Sequence, residues 1–213
     1  MFITFEGIDG CGKSTQARLL AAHLLALGHQ VVSTREPGGT VLAEEVRGLV
    51  LKAREHEEVS PRAELLLFAA ARAQHIQALI RPALDRGCWV LCDRFTDSTL
   101  AYQSGGLGLD ESFVRTLNTF ATSGLKPQLT LLFDVAVEEA QQRRARERGP
   151  VDRIESRGLE FQQRVRRAFL AEAARDPERI NLIDATPNVQ EVQAQVLEAL
   201  ERLQVLAAPG PAV

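Results

Sequence analysis

The chain alternates short apolar runs with segments of helical period, and this alternation limits the folds open to it more than any other feature. The apolar runs have strand length and little polar alternation, as expected of strands covered on both faces. They lie at 2–5, 30–34, 88–93, 129–135 and 180–184. Helical patterns lie between and after them, at about 13–27, 41–53, 61–86, 110–123, 136–147, 157–175 and 188–204. The sequence therefore predicts an α/β fold with a mainly parallel sheet between two layers of helices.

The length of the chain limits the number of its domains, and its net charge limits the kinds of partner that it can bind. A chain of 213 residues fits one core, so we predict a single domain at 1–206 and a frayed tail at 207–213. The formal net charge of -3 argues against a nucleic acid polymer or a membrane surface as partner, because both require a dense cationic patch. The N-terminus lacks a signal-peptide pattern and no apolar run approaches ~20 residues, which predicts a cytoplasmic protein.

A glycine-rich segment, EGIDGCGKST at 6–15, directly follows the first apolar run. It matches the phosphate-loop (P-loop) pattern G-x-x-x-x-G-K-[ST], in which backbone N–H groups and a helix N-terminus surround a phosphate. Lys13 would then bridge the outer phosphates of ATP, and the Ser14 hydroxyl would ligate Mg²⁺. The predicted ATP-phosphate site comprises Gly7, Ile8, Asp9, Gly10, Cys11, Gly12, Lys13, Ser14 and Thr15.

Asp93 ends the third apolar run, and Arg94 follows it directly. A carboxylate at the carboxyl end of a strand beside the phosphate loop can hold Mg²⁺ through water, so Asp93 is the second predicted metal residue. The chain has no N-K-x-D tetrapeptide, and no second acid follows Asp93 to position a hydrolytic water. Arg94 stands there instead, where a guanidinium can bind the phosphate of a second substrate. This pattern indicates phosphoryl transfer rather than hydrolysis.

Two further segments carry candidate residues for that second substrate. In the turn TREPGGT at 34–40, Arg35 lies near the rigid Pro37 and can donate hydrogen bonds to a phosphate. In the long predicted helix, Phe68 and Arg72 are four residues apart and therefore share a face. An aromatic ring followed one turn later by a cation can stack a base and donate to its edge. Core packing for Phe68 and a solvated Arg72 remain the alternative.

Taken together, the motifs resemble thymidylate kinase of the bacterial type. They are EGIDGCGKST, TREPGGT, LLLFAAARAQH, DRFTDSTLAYQ, KPQLTLLFDV and RARERGPVDRIE, in this order, and the match runs from about residue 2 to 186. The resemblance implies the three-layer nucleoside monophosphate kinase fold with a five-stranded parallel sheet. It also implies transfer of the γ-phosphoryl group of Mg²⁺-bound ATP to dTMP, giving dTDP, in a homodimer.

The resemblance also implies roles for single residues. Asp9 would arrange the acceptor phosphate, the metal and nearby arginines, and Arg94 and Arg35 would hold the dTMP phosphate. Phe68 would stack on thymine while Arg72 donates to its 4-oxo group. The full set predicted to bind dTMP is Asp9, Arg35, Glu36, Pro37, Phe68, Arg72, Arg94, Ser98, Tyr102 and Gln103, with Tyr102 under the deoxyribose.

The segment that supplies a catalytic arginine has to be inferred from what the glycine-rich loop lacks. Some thymidylate kinases carry one directly after the loop aspartate, where this chain has Gly10. The segment at about 143–156, RRARERGPVDRIES, would supply it as a lid that closes over the transferring group. Within it we favour Arg148 and Arg153 over Arg143, Arg144 and Arg146. The predicted catalytic residues are Asp9, Lys13, Arg94, Arg148 and Arg153.

Two departures from the family pattern carry expectations of their own. Ala71 stands where the family often has aspartate, which predicts the loss of a salt-bridge partner for Arg72 or a neighbour. Cys11 lies near a helix N-terminus, which predicts an unusually acidic, reactive thiol.

Two alternative functions remain at this stage. One is another kinase of the same fold acting on a nucleoside, UMP or CMP. The other is a non-catalytic nucleotide-binding switch. A nucleoside kinase needs a base near a hydroxyl, whereas phosphate-binding arginines such as Arg35 and Arg94 favour a monophosphate acceptor.

Overall fold

The computed structural model describes residues 1–52, 58–146 and 152–203, and within them one parallel sheet forms the middle layer. Its strands are β1 (Phe2–Glu6), β2 (Val31–Arg35), β3 (Trp89–Asp93), β4 (Leu129–Asp134) and β5 (Ile180–Asp184). They lie in the order β2-β3-β1-β4-β5 and all pair in parallel. The predicted five-stranded parallel sheet is therefore confirmed.

Except for the short helix at Thr96–Thr99, the helices that cover the sheet agree with the predicted segments to within a few residues. They are α1 (Lys13–Ala26), α2 (Val41–Leu51), α3 (Pro61–His75), α4 (Arg81–Asp85), α5 (Thr96–Thr99), α6 (Glu111–Thr122), α7 (Val137–Arg146), α8 (Leu159–Arg175) and α9 (Val189–Arg202). Short π-helical segments, Ile76–Ile80 and Leu100–Gly106, continue α3 and α5, and a 3-10 turn lies at Glu155–Arg157. The predicted tail at 207–213 lies outside the described residues.

One helical region was not predicted, namely α5 with its π-helical continuation. The sequence there shows no apolar period, because Asp97, Ser98 and Gln103 are polar and yet buried. Their burial depends on partners from other elements. Arg179, for example, donates two hydrogen bonds to Asp97, at 2.8 and 2.9 Å. Such tertiary pairing cannot be read from a local pattern.

Apolar side chains on both faces of the central strands form the core. Phe5, Leu91 and Leu131 are almost completely buried, as expected for strands covered on both sides. Cys88 and Cys92 are also buried, and both are free thiols. No helix in the described part of the chain is long and apolar enough to cross a membrane.

Candidate active site

The glycine-rich segment links β1 to α1 at the carboxyl edge of the central strand. Lys13, the first residue of α1, is buried, and its Nζ donates to the carbonyl oxygens of Gly7 at 3.0 Å and Ile8 at 2.8 Å. The ammonium group is therefore held directly above the loop. The N-terminus of α1 points at the same place, so the loop can bind an anion.

The side chain of Ser14, at the start of α1, contacts that of Asp93, at the end of β3. The Ser14 hydroxyl donates to Asp93 Oδ2 at 2.7 Å. A hydroxyl and a carboxylate side by side are hard oxygen ligands, and Mg²⁺ usually takes only one or two protein ligands beside nucleotide phosphates and water. The residues therefore fit a magnesium ion.

Arg94 has a strained backbone and binds to the phosphate loop. Its φ is +71°, which is uncommon for a residue with a side chain and is typical of functional positions. The guanidinium pairs with Asp9 Oδ1 and donates to Gly7 O at 3.1 Å and to Ser98 Oγ at 3.2 Å. It also lies 5.0 Å from the ring centroid of Tyr102, whose hydroxyl donates to Asp9 Oδ2 at 3.2 Å. The loop and the end of β3 thus form one charged unit.

The charges of this unit stabilise each other. Burial alone would raise the pKa of Asp9, but the nearby positive charges of Arg94 and Lys13 lower it below its ordinary value. Burial would likewise lower the pKa of Arg94, and the carboxylate of Asp9 raises it. Both residues are therefore ionised across the physiological range.

Glu6 is a residue of this site that the sequence reasoning missed. Its carboxylate is fully buried below the phosphate loop and accepts from Phe95 N at 2.7 Å, Ser98 N at 3.1 Å and Ser98 Oγ at 2.5 Å. Burial, and then the charge of Asp97, raises the pKa of Glu6 to about 7. The sequence did contain a signal for this residue, because Glu6 is an acid at the end of an apolar strand. Glu6 fixes the backbone that follows Arg94.

A cleft opens beside this unit, and nine of the ten residues predicted to bind dTMP line it. They are Asp9, Glu36, Pro37, Phe68, Arg72, Arg94, Ser98, Tyr102 and Gln103. The structure adds Arg47 from α2, which the sequence reasoning did not single out because it reads as an ordinary solvated helix residue. Its Nη1 donates to Pro37 O at 3.1 Å.

Arg35 does not line the cleft with the others. Its side chain is 53% exposed and its Nη2 donates to both carboxylate oxygens of Glu44 at 3.1 Å. Arg35 therefore forms a solvent-exposed ion pair with Glu44 and does not point into the cleft.

Arg72 lies at the back of the cleft and is almost fully buried. Its Nε donates to Glu36 Oε2 at 2.7 Å, and Nη1 and Nη2 donate to acceptors in the α5 region and α6, namely Thr99 Oγ1, Asn118 Oδ1 and Phe95 O. These bonds engage four of its five N–H groups within the described residues, so one remains for a molecule in the cleft. Glu36 supplies the salt-bridge partner whose loss was expected from Ala71.

The lid segment meets the phosphate loop through α7. Gly10 has φ +82°, and a Cβ there would lie 2.2 Å from Ala140 O, so α7 packs directly on the loop. Arg144, one turn further along α7, lines the wall above Lys13 and Ser14 together with Glu155. Arg144 Nε donates to Glu155 Oε1 at 3.1 Å. A side chain at position 10 is therefore excluded, and Arg144 lies above the loop.

Of the two favoured lid arginines, the structure describes only Arg153. Arg153 donates from Nε to Val50 O at 2.9 Å and pairs with the buried carboxylate of Glu64, so the structure does not bring it into the cleft. Arg148 lies outside the described residues.

The expectation for Cys11 was wrong. The thiol is buried, and burial raises its pKa above the ordinary value, although the charge of Lys13 acts in the opposite direction. A position near a helix N-terminus lowers a thiol pKa only when the group is not shut away from water.

Comparisons with known proteins select one family along nearly the whole chain. The family profile described as "Thymidylate kinase" matches residues 5–196. A thymidylate kinase of Geobacter sp. (strain M21) is 50% identical over 215 residues, covering 98% of this chain and 95% of that protein. One of Pseudomonas fluorescens (strain SBW25) is 52% identical over 200 residues, with 94% of each covered. The crystal structure of thymidylate kinase from Ehrlichia chaffeensis has a TM-score of 0.77 and 38% identity, covering 94% of this chain and 98% of that chain.

Proposed function

This chain belongs to the thymidylate kinase family, and we propose that it transfers the γ-phosphoryl group of ATP to dTMP, giving dTDP and ADP. The observation that carries this proposal is the pairing of Arg94 with Asp9, which joins a phosphate loop to a second, base-sized cleft. A protein that only binds a nucleotide, or that hydrolyses it, has no use for such a cleft.

The donor phosphates bind at residues 7–15. Backbone N–H groups and the N-terminus of α1 stabilise their charge, and Lys13 leaves the carbonyls of Gly7 and Ile8 to bridge the outer phosphates. Ser14 and Asp93 would hold Mg²⁺, Asp93 through water, and a bound ion would supply positive charge beside the phosphate oxygens.

The acceptor phosphate binds at Arg94, which is held in place by Asp9 and Ser98. Arg47 lines the same cleft and adds a second positive charge. Arg35 belongs to this group only if it exchanges Glu44 for the phosphate, a change that costs little because the existing pair is exposed to solvent. Phosphates attract arginine because its planar group donates two parallel hydrogen bonds.

The base lies between Phe68 and the back of the cleft. Arg72, immobilised by Glu36, donates its remaining N–H to the 4-oxo group. Cytosine carries an amino donor there, which opposes Arg72 and disfavours a CMP-type acceptor. Tyr102 lies under the sugar, where its buried ring leaves little room for a 2′-hydroxyl, and Ser98 and Gln103 complete the walls.

The lid supplies charge during transfer. Negative charge spreads over the oxygens of the moving phosphoryl group, and a guanidinium close to them stabilises it. Arg144 is our first candidate, because it lines the space above the loop. Arg148 stays a candidate from the sequence alone. Arg153 can take part only if it leaves Glu64.

We also propose a homodimer, formed through α3 and α6. Phe113 and Phe120 are seven residues apart on α6 and are 56% and 82% exposed, and Leu66 on the neighbouring α3 is 55% exposed. Large exposed apolar side chains on adjacent helices are typical of subunit interfaces, and a second copy of the same face is self-complementary. A cytoplasmic location stays a prediction from the sequence.

Coupled measurement of ADP release with four acceptors, dTMP, dUMP, dCMP and UMP, tests the function. We expect dTMP to give the highest kcat/KM and dCMP and UMP to be poor. ATP binding without any acceptor-dependent turnover would favour the switch, and faster turnover with UMP or dCMP would favour another kinase of the same fold.

A further inference from the structure

Glu64 of α3 is completely buried behind the cleft, and its carboxylate joins two other parts of the chain. Gln103 Nε2 donates to Glu64 Oε1 at 2.9 Å. Arg157 Nη1 donates to the same oxygen at 3.1 Å, and Arg153 and Arg157 both donate to Oε2. A buried carboxylate is costly unless it is paired in this manner.

The carboxylate determines which way the amide of Gln103 faces. Burial alone would raise the pKa of Glu64, but the hydrogen bonds from Arg157, Arg153 and Gln103 lower it below the ordinary value, so the group is ionised. An ionised carboxylate only accepts hydrogen bonds. The NH₂ of Gln103 therefore faces Glu64. Because Gln103 is nearly buried and lines the cleft, the other end of the amide, Oε1, faces the cleft in which the base would bind.

An acceptor fixed at this point distinguishes pyrimidines by their ring nitrogen at position 3. Thymine and uracil carry an N–H donor there, whereas cytosine carries an acceptor. An amide that is free to turn over could serve either base, since its two ends have opposite character. Fixing the amide therefore gives specificity that the glutamine alone does not have.

We propose that Glu64 is a positioning residue for base recognition, which holds Gln103 with its oxygen toward the cleft and thereby favours a base with N3–H. The inference rests on the proposed function, because it requires a pyrimidine nucleotide in this cleft. Arg153 and Arg157 keep the carboxylate charged, and Asp152 and Ile154 beside them line the cleft, so lid and base site share one anchor.

The substitution Glu64→Gln gives the sharpest test. Both arginines donate to Oε2, so the new side chain presents its oxygen there and its NH₂ to Gln103, and only the bond from Arg157 Nη1 to Oε1 is lost. Gln103 then turns over and presents its own NH₂ to the cleft. We expect the ratio of kcat/KM for dTMP to that for dCMP to fall by about tenfold or more, the effect of one hydrogen bond, with the KM for ATP unchanged.

A second variant covers the case in which Glu64→Gln does not fold. Glu64→Asp keeps the charge for Arg153 and Arg157 but withdraws the oxygen from Gln103 by one methylene, and we expect it to lower the same ratio. Glu198→Gln, on the exposed surface of α9, is the matched control and should behave as wild type.

The background Gln103→Leu shows whether Glu64 acts through Gln103. In that background, Glu64→Gln should not change the ratio further; a second fall of equal size would overturn the proposal. The proposal would also be overturned if wild type is active on dTMP and a folded Glu64→Gln or Glu64→Asp variant has the same ratio as wild type. A wild-type enzyme without dTMP turnover would overturn the proposed function, and this inference with it.

Discussion

Gly10 lies against the carbonyl oxygen of Ala140 so closely that no side chain fits between them; a Cβ at position 10 would be 2.2 Å from that oxygen. This contact lets α7 pack on the phosphate loop. It brings Arg144, four residues after Ala140, above Lys13. The absence of a side chain in the loop and the presence of an arginine above it are therefore one feature of the packing.

The substitution Gly10→Ala tests that packing. We expect a loss of unfolding free energy of about 2–4 kcal/mol, from backbone strain plus displacement of α7, together with a lower kcat. Gly28→Ala is the control, because Gly28 has a similar φ of +86° but open space around it. Urea unfolding of both variants separates strain from contact. Equal losses would mean that the Ala140 contact contributes nothing.

Arg144→Ala should lower kcat by roughly 100-fold or more with little change in the KM for either substrate, as expected for an interaction made only in the transition state. Arg148→Ala and Arg153→Ala belong in the same series, and Arg202→Ala, at the exposed end of α9, is the control. Steady-state kinetics with dTMP and ATP provide the measurement. Near wild-type turnover in Arg144→Ala, with a large loss in Arg148→Ala or Arg153→Ala, would assign the transfer to those arginines instead.

Arg94→Ala should raise the KM for dTMP by roughly 100-fold and the KM for ATP far less, because the proposed function assigns the guanidinium to the acceptor phosphate and not to the donor. Saturation curves for each substrate at a fixed excess of the other measure this difference. If the dTMP curve is unaltered, Arg94 does not hold the acceptor phosphate.

Glu6 gives the folded state a defined pH dependence. Its pKa is about 7 in the folded protein, against an ordinary value of 4.5, because it is buried near Asp97. Between these pH values the folded protein retains a proton that the unfolded chain has lost. Glu6 therefore lowers stability as pH rises from about 4.5 to about 7, by about 3 kcal/mol in total.

Glu6→Gln should remove this dependence. An amide can accept from Phe95 N and Ser98 N with its oxygen and donate to Ser98 Oγ with its nitrogen, as the protonated acid does. We expect the variant to equal wild type at about pH 4, below both pKa values, and to exceed it in unfolding free energy at about pH 8. Denaturant unfolding at both pH values measures the difference, and a constant difference between the two proteins would contradict it.

Phe120→Asp should convert the proposed homodimer to a monomer, because it places a charge on the exposed apolar face of α6. Leu25→Asp, which changes a similarly exposed apolar residue on α1, should leave the dimer intact. Light scattering after size-exclusion chromatography measures the mass. A wild-type monomer, or a dimeric Phe120→Asp, would remove α6 from the interface.

The fold could be predicted from the sequence because its signals are local. Apolar strands, helical periods and a glycine-rich turn depend on neighbouring residues, and each agrees with the structure. The candidate site could be predicted where motif and position coincide, as for Asp9, Lys13 and Arg94. The burial of charged residues could not be predicted in this way. In the sequence, Glu6 and Glu64 resemble ordinary exposed acids, and only the structure shows that residues from distant segments surround them.

The position of the lid arginines could not be predicted from the sequence either. Arg144 and Arg153 both belong to one arginine-rich run, and from the sequence we favoured Arg153. The structure separates them because Gly10 admits α7 to the loop while the buried Glu64 holds Arg153 away from the cleft. Both causes lie in residues far from the run itself.

Transfer of labelled phosphate tests the central claim most directly. Purified protein is mixed with Mg²⁺, γ-labelled ATP and dTMP, and the nucleotides are separated. We predict that the label appears in dTDP, in amounts equal to the ADP formed, and that release of inorganic phosphate is negligible. Label released as inorganic phosphate at the same rate with and without dTMP would contradict the account.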